Sequence, residues 1–204
     1  MKDITLYGAG GHCFATIELI RSLGQYKPLL ILDDNPKTNE ILGLPVQKYD
    51  KNIHAPQSLC ITIGDNKLRK KIANLFRTDF PSFVHDSAQT YPSVTIGEGT
   101  LVLPNAVLDA SVSLGKHNII NSNATVSHNV QTGDFVHIAI QAAIAGGVTI
   151  GEGTLIGAGS IILPEINIGK WVIIGAGSVI TKDIPDNSVV YGNPGVIKKQ
   201  RKEE

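Results

Sequence analysis

From Ile96 to Ile180 every sixth residue is aliphatic, with one exception. The column runs Ile96, Val102, Leu108, Leu114, Ile120, Val126, Thr132, Ile138, Ile144, Ile150, Ile156, Ile162, Ile168, Ile174, Ile180, and only Thr132 interrupts it. The phase never slips. A helix repeats every 3.6 residues and a lone strand every two, so neither explains a strict six. A hexapeptide repeat is the signature of a parallel β-helix. With three hexads to a triangular coil, the 90 residues 94–183 make about five coils. Two residues before each aliphatic position the chain is mostly small or β-branched (Val94, Thr100, Ala106, Val112, Ala124, Val130, Val136, Ala142, Val148). Just after it glycine recurs, at Gly97, Gly115, Gly133, Gly151, Gly157, Gly169 and Gly175. The large side chain is expected inside, and the small residue is expected to turn the corner. An antiparallel sheet would need a period of two and hairpin turns, which the run lacks.

Residues 1–80 alternate differently. Ile4–Tyr7 reads as a strand, Gly8-Ala9-Gly10-Gly11-His12 as a Gly-rich turn, and Phe14, Ile17, Leu19, Ile20 and Leu23 as a helix that Gly24 stops. A second strand, Leu29–Leu32, ends in Asp33-Asp34. A third, Leu59–Ile63, ends in Gly64-Asp65-Asn66 and leads into a basic helix over Lys67–Phe76. Strand–turn–helix units with glycine at the strand ends predict a small, Rossmann-like parallel α/β domain. Residues 81–93, with Pro81 and Pro92, read as a linker, and 184–204 as a C-terminal tail.

Composition excludes more than it suggests. Lys plus Arg number 18 against 18 Asp plus Glu, so no basic stripe points to nucleic acid or anionic lipid. The tail residues Lys198, Lys199, Arg201 and Lys202 read as a solvated terminus. No apolar run approaches the ~20 residues of a membrane span, and no signal-peptide pattern opens the chain. Two cysteines, Cys13 and Cys60, without CxxC spacing, fit a reducing cytoplasm and argue against a disulfide framework or a zinc site. Sparse aromatics and abundant glycine suit a narrow prism.

The hexads, His128-Asn129, His137 nine residues on, the Ile184-Pro185-Asp186-Asn187 turn and the Tyr191-Gly192-Asn193-Pro194 ending resemble the bacterial hexapeptide acyltransferases. The front end, with Gly8-Ala9-Gly10-Gly11-His12, Asp33-Asp34 and Ile63-Gly64-Asp65-Asn66, is similar to one branch of them (NeuD/PglD-like), which holds sialic-acid O-acetyltransferases and nucleotide-aminosugar N-acetyltransferases. The resemblance implies a left-handed β-helix, acetyl-CoA as donor, no metal, and a homotrimer with active sites between neighbouring prisms. An exposed apolar prism face independently calls for some covering partner.

That resemblance gives the residues roles. His128 is expected to be the general base, since acetyl transfer from a thioester needs the acceptor to lose a proton and histidine titrates near neutrality. Many relatives carry an acid after this histidine. Here it is Asn129, which orients the ring without adding charge, unless another carboxylate such as Asp134 serves. His137 is expected at the thioester carbonyl, where negative charge develops. Gly146, Gly157, Ala158, Gly175 and Ala176 leave room for a pantetheine groove, with Asn193, Pro194, Lys198 and Lys199 as weaker candidates for the far end of CoA.

At the front, Gly10, Gly11 and His12 are expected near the phosphates of a nucleotide sugar, and Asp33, Asp34, Asp65 and Asn66 near base or ribose. The turn is not a full GxGxxG, because Cys13 stands at the third glycine position, so no NAD is implied. His117, His54 and His85 are read as structural. The expected activity is acetyl-CoA-dependent N-acetylation of a nucleotide-linked deoxy-aminosugar for a surface glycan, by direct transfer and without a cysteine nucleophile. O-acetylation of a sialic acid or related sugar, a non-catalytic sugar-nucleotide sensor, and a zinc enzyme using His117, His128 and His137 stay open as alternatives.

Overall fold

The computed structural model describes residues 1–51 and 55–201 and divides into two compact units, Met1–Phe83 and Val84–Glu204. His54 and Lys202 lie outside the described residues. In the first unit β1 (Lys2–Tyr7), α1 (Gly11–Leu23), β2 (Tyr26–Asp33), β3 (Glu40–Ile41), β4 (Leu44–Lys48), β5 (Leu59–Ile61) and α2 (Asn66–Ala73) build one sheet in the order β3-β4-β2-β1-β5. Every pairing is parallel except the β3–β4 hairpin. The hairpin turns on Leu42 and Gly43, both at positive φ (48° and 77°), which suits the twist of a two-residue connection. A Leu-Gly pair is a faint turn signal, which is why the hairpin was not foreseen. Helix α1 ends at Gly24 as expected, with φ 63° and its N–H on the Arg21 carbonyl. Its buried face is Cys13, Thr16, Ile17, Leu19 and Ile20, whereas Phe14 is exposed.

The second unit is a three-faced coil. Two-residue strands pair in parallel with partners eighteen residues on, as Val107 with Thr125 and Ile119 with His137. Six, five and eight strands share the three faces. From Val102 to Ile180 every aliphatic position of the column is buried, each such side chain stabilising the coil by about 1.5–3 kcal/mol.

The coil begins earlier than expected. Strand Gln89–Thr90 pairs with Val107–Leu108, and Val84 and Ala88 pack on the prism core, so residues 84–93 belong to a coil and not to a linker. Thr90 stands where an aliphatic residue would have revealed the hexad. The tail is also largely structured. Ile184 is buried and bridges Ile168, Ser188–Tyr191 pairs with Ile173–Ile174, and Val196–Gln200 closes the end antiparallel. Ile162 meets Ile180 eighteen residues on, whereas Ile168 meets Ile184 and Ile174 meets Val190 sixteen on, so this coil is shortened by two residues between Ile180 and Ile184.

The corners correct a second expectation. Left-handed φ falls three residues after each inward position, at Gly99 and every sixth residue to Gly177, with values between 53° and 71°. Asn105, Asn123, Asn129, Gly147, Gly153 and Gly159 suit that conformation, which asparagine and glycine adopt at little cost. The glycines one residue past the inward position have another reason. A Cβ on Gly97 or Gly115 would sit 2.5 Å from the main chain of the next coil. They permit close stacking, not the bend.

Candidate active site

The eighteen-residue repeat gives each edge of the prism its own chemistry. One edge is charged: Glu98, Lys116, Asp134, Glu152, Lys170, with Lys116 Nζ 2.8 Å from Glu98 Oε1. A second carries Ala110, His128, Gly146 and Pro164. A third is small or apolar: Ser122, Ile140, Ala158, Ala176.

His128 is exposed, two residues past buried Val126. Its Nδ1 lies 3.0 Å from Asn129 Oδ1. An amide oxygen only accepts, so this contact favours the tautomer with the proton on Nδ1 and the lone pair on Nε2. Asn129 itself holds a corner at φ 61°. Gly146 lies one coil further along, directly beneath the imidazole. A Cβ there would stand 2.4 Å from Cε1 and 2.5 Å from Nε2 of His128. Gly146, expected in the pantetheine groove, is thus the floor of the histidine. Asp134 does not serve His128. It stands on the charged edge and accepts from the Lys116 N–H at 2.7 Å.

His137 precedes buried Ile138, so strand alternation points it outward, between Ile119 and Leu155 of the neighbouring coils. Its Nε2 is 3.3 Å from Asn121 Nδ2. Its strand lies in the eight-stranded sheet, whereas Thr125–Val126, just before His128, lies in the six-stranded sheet. The two histidines of one chain therefore stand on different sides of the prism. The small edge flanks the face of His137. There Ala158 and Ala176 are exposed, while Gly157 and Gly175 are buried. A Cβ on Gly157 would meet the Ile174 carbonyl at 2.5 Å, and one on Gly175 the Tyr191 ring at 2.0 Å, so close packing is why both are glycine. His117 is buried and stacked on Phe135 (5.1 Å, 6°), and among the described residues of one chain no three His, Cys, Asp or Glu side chains are grouped as metal ligands.

In the first unit the carboxyl ends of β2, β1 and β5 lie side by side. Helix α1 leaves β1 toward β2 and β5 lies on the other side, which makes the crevice after β1 a topological switch point. Gly8, at φ 112°, has the Ile63 side chain where its Cβ would be, at 2.5 Å, so the two loops interlock. Gly10 and Gly11 open helix α1 with nothing within 4 Å of a Cβ, leaving the N-terminal N–H groups approachable.

The polar residues divide by duty. Asp33 accepts from Ala9 N (2.7 Å) and Asn35 N (2.8 Å), Asp65 caps α2 through Leu68 N (2.8 Å), and Asn66 accepts from Arg69 (2.7 Å). Exposed Asp34 accepts from Tyr7 Oη. His12 is held down to about 4 by burial and then by the nearby Arg69 charge, so it is neutral at pH 7. A basic residue on a short helix reads in sequence as part of a solvated face, yet Arg69 is 1% exposed. Burial pushes both the Cys13 and Cys60 thiols up, which keeps them out of the thiolate form.

Known proteins share this fold. The PglD N-terminal domain matches residues 3–76, and the bacterial transferase hexapeptide (six repeats) matches residues 129–164 and 150–182. A mutant of the perosamine N-acetyltransferase from Caulobacter crescentus, solved with CoA and GDP-perosamine, is 33% identical over 98% of both chains, with a TM-score of 0.91. The acetyltransferase domain of PglB from Neisseria gonorrhoeae, solved with acetyl coenzyme A, is 33% identical over 96% of this chain and 98% of that one, with a TM-score of 0.87. The UDP-N-acetylbacillosamine N-acetyltransferase of Bacillus subtilis is 35% identical over 112 residues, 50% of this chain and about half (52%) of that protein. Fold and family matches together define a hexapeptide-repeat acyltransferase. The chain belongs to the PglD/NeuD-type branch of the bacterial hexapeptide acetyltransferases, and its coil is their left-handed parallel β-helix.

Proposed function

We propose that the protein N-acetylates the amino group of a nucleotide-linked deoxy-aminosugar, with acetyl-CoA as donor, for a surface glycan. His128 is the observation that carries the reading: its Nδ1 is tied to Asn129, its ring is seated on Gly146, and its Nε2 lone pair is left for an acceptor proton. The amine attacks the thioester carbonyl and passes its proton to Nε2 as the C–N bond forms. His137 donates to the carbonyl oxygen as it becomes an oxyanion. The tetrahedral intermediate collapses with cleavage of the C–S bond, and the imidazolium returns its proton to the CoA thiolate. No covalent enzyme intermediate forms. The substrates are an acetyl-CoA laid along Gly157, Ala158, Gly175 and Ala176, and a nucleotide sugar at Gly10, Gly11, His12, Asp33, Asp34, Asp65 and Asn66.

His128 and His137 lie on different sides of one prism, so a site using both draws them from two copies. A homotrimer closes such sites by symmetry. We place the enzyme in the cytoplasm, where buried thiols stay reduced.

Product chemistry tests the reaction. Incubation with acetyl-CoA and a nucleotide aminosugar is expected to yield a product heavier by one acetyl group that survives mild alkali, as an amide does. A product that loses its acetyl group in mild alkali is an ester and overturns the N-acetyl assignment.

A further inference from the structure

The prism edge that carries Ser122, Ile140, Ala158 and Ala176 changes character along its length. Its corners stack through main-chain hydrogen bonds, from Gln141 N to the Ser122 carbonyl (3.1 Å), Gly159 N to the Ile140 carbonyl (2.9 Å) and Gly177 N to the Ala158 carbonyl (2.8 Å). In the later coils the corners are Ala158-Gly159 and Ala176-Gly177, all exposed. Both glycines have positive φ (65° and 67°), and a Cβ on either would meet nothing within 4 Å. These corners leave a shallow trough floored by methyl groups. One coil earlier, about 4.8 Å along the axis, the corner is Ile140-Gln141. Gln141 takes the left-handed turn at φ 58°, and Ile140 is 48% exposed. The floor of the trough thus rises there from a methyl to a sec-butyl group. Ile140 belongs to the coil of His137 and follows buried Ile138, which does the inward packing.

We infer that Ile140 sets the length of acyl chain the enzyme accepts, holding the donor to acetyl by closing the trough at the level of the thioester. The inference rests on the acetyl-CoA reading above, in which pantetheine lies over Ala176 and Ala158 and His137 meets the thioester carbonyl. A chain laid along those methyl groups arrives at the Ile140 coil as its thioester arrives at His137. A single methyl group beyond the carbonyl fits there. Each further methylene has to pass the isoleucine side chain toward Ser122 or lift the carbonyl away from His137. In an apolar site one methylene changes kcat/KM by about 10–200-fold.

The test compares acetyl-, propionyl- and butyryl-CoA in the full-length protein, with whichever UDP-, GDP- or dTDP-linked aminosugar the wild type acetylates. Wild type is expected to favour acetyl-CoA over butyryl-CoA in kcat/KM by about a hundredfold or more. Ile140→Ala lowers the step and is expected to narrow that ratio about tenfold or more, with the KM for the nucleotide sugar unchanged. Should Ile140→Ala lose its fold, Ile140→Val decides, through an acetyl-to-propionyl ratio expected to narrow about threefold or more. Ala158→Ile moves the step one coil along the trough and is expected to raise the KM for acetyl-CoA about tenfold or more. A chain-length preference unchanged by substitution of Ile140, or a wild type that uses butyryl-CoA as readily as acetyl-CoA, overturns the role of Ile140 and leaves the groove standing. An unchanged KM for acetyl-CoA in Ala158→Ile contradicts the groove itself. A wild type that acetylates none of the aminosugars sinks the acetyltransferase reading, and this inference with it.

Discussion

Asn129 meets two demands at once. Its backbone must take φ 61° to turn the coil, and its side chain must present an acceptor to His128 Nδ1. Asparagine and aspartate meet both, glycine only the first. Asn129→Gly is therefore expected to leave thermal stability within a degree or two and to lower kcat roughly tenfold, through loss of the tautomer constraint. A fall in stability without a fall in kcat would assign Asn129 to the corner alone. Gly146 offers a second residue-scale test. Gly146→Ala puts a methyl group about 2.4 Å from the His128 ring and must displace it. Expected is a loss in kcat of about a hundredfold with little change in the KM for acetyl-CoA. A raised KM with unchanged kcat would return Gly146 to the cofactor groove.

Within the coil, Thr132 acquires a reason that its place in the column could not give. Asn118, fully buried, donates from Nδ2 to Thr132 Oγ1 and accepts the Val136 N–H at 2.7 Å on Oδ1, while its own N–H reaches Thr100 Oγ1 at 3.1 Å. The polar residue in the aliphatic column is the partner of a polar residue in the small-residue column. Thr132→Val strands the Asn118 amide and is expected to cost about 1–3 kcal/mol in chemical denaturation, with kcat preserved. The pair Thr132→Val with Asn118→Val is expected to recover part of that loss.

The hexads made the inward column and its eighteen-residue coil readable in advance, because burial of an aliphatic side chain repeats with the geometry that demands it. The corners were misread because small residues serve two purposes here, a left-handed bend and a close coil approach, and composition alone does not separate them. The first coil was hidden by Thr90, and Arg69 by its ordinary setting on a basic helix. Burial and partners appear only once β1 and β5 stand side by side.

Across the whole molecule, the two histidines must come from different copies if both act at one thioester. Co-expressed His128→Ala and His137→Ala chains, assembled at random, are then expected to recover about a quarter of wild-type activity, since a site that draws one histidine from each copy escapes both substitutions one time in four. Homogeneous variants should stay inactive. Failure of the mixture to exceed either parent would place both histidines of a working site in one chain.

The acceptor distinguishes the proposed activity from its alternatives most directly. Thiol release from acetyl-CoA is to be followed with UDP-, GDP- and dTDP-linked aminosugars, with free sialic acids alongside. The expected result is rapid release with at least one nucleotide aminosugar, abolished in His128→Ala and absent with free sialic acids. Release with free sialic acid alone would contradict the acceptor assignment, and release with no sugar would contradict the catalytic reading of the site.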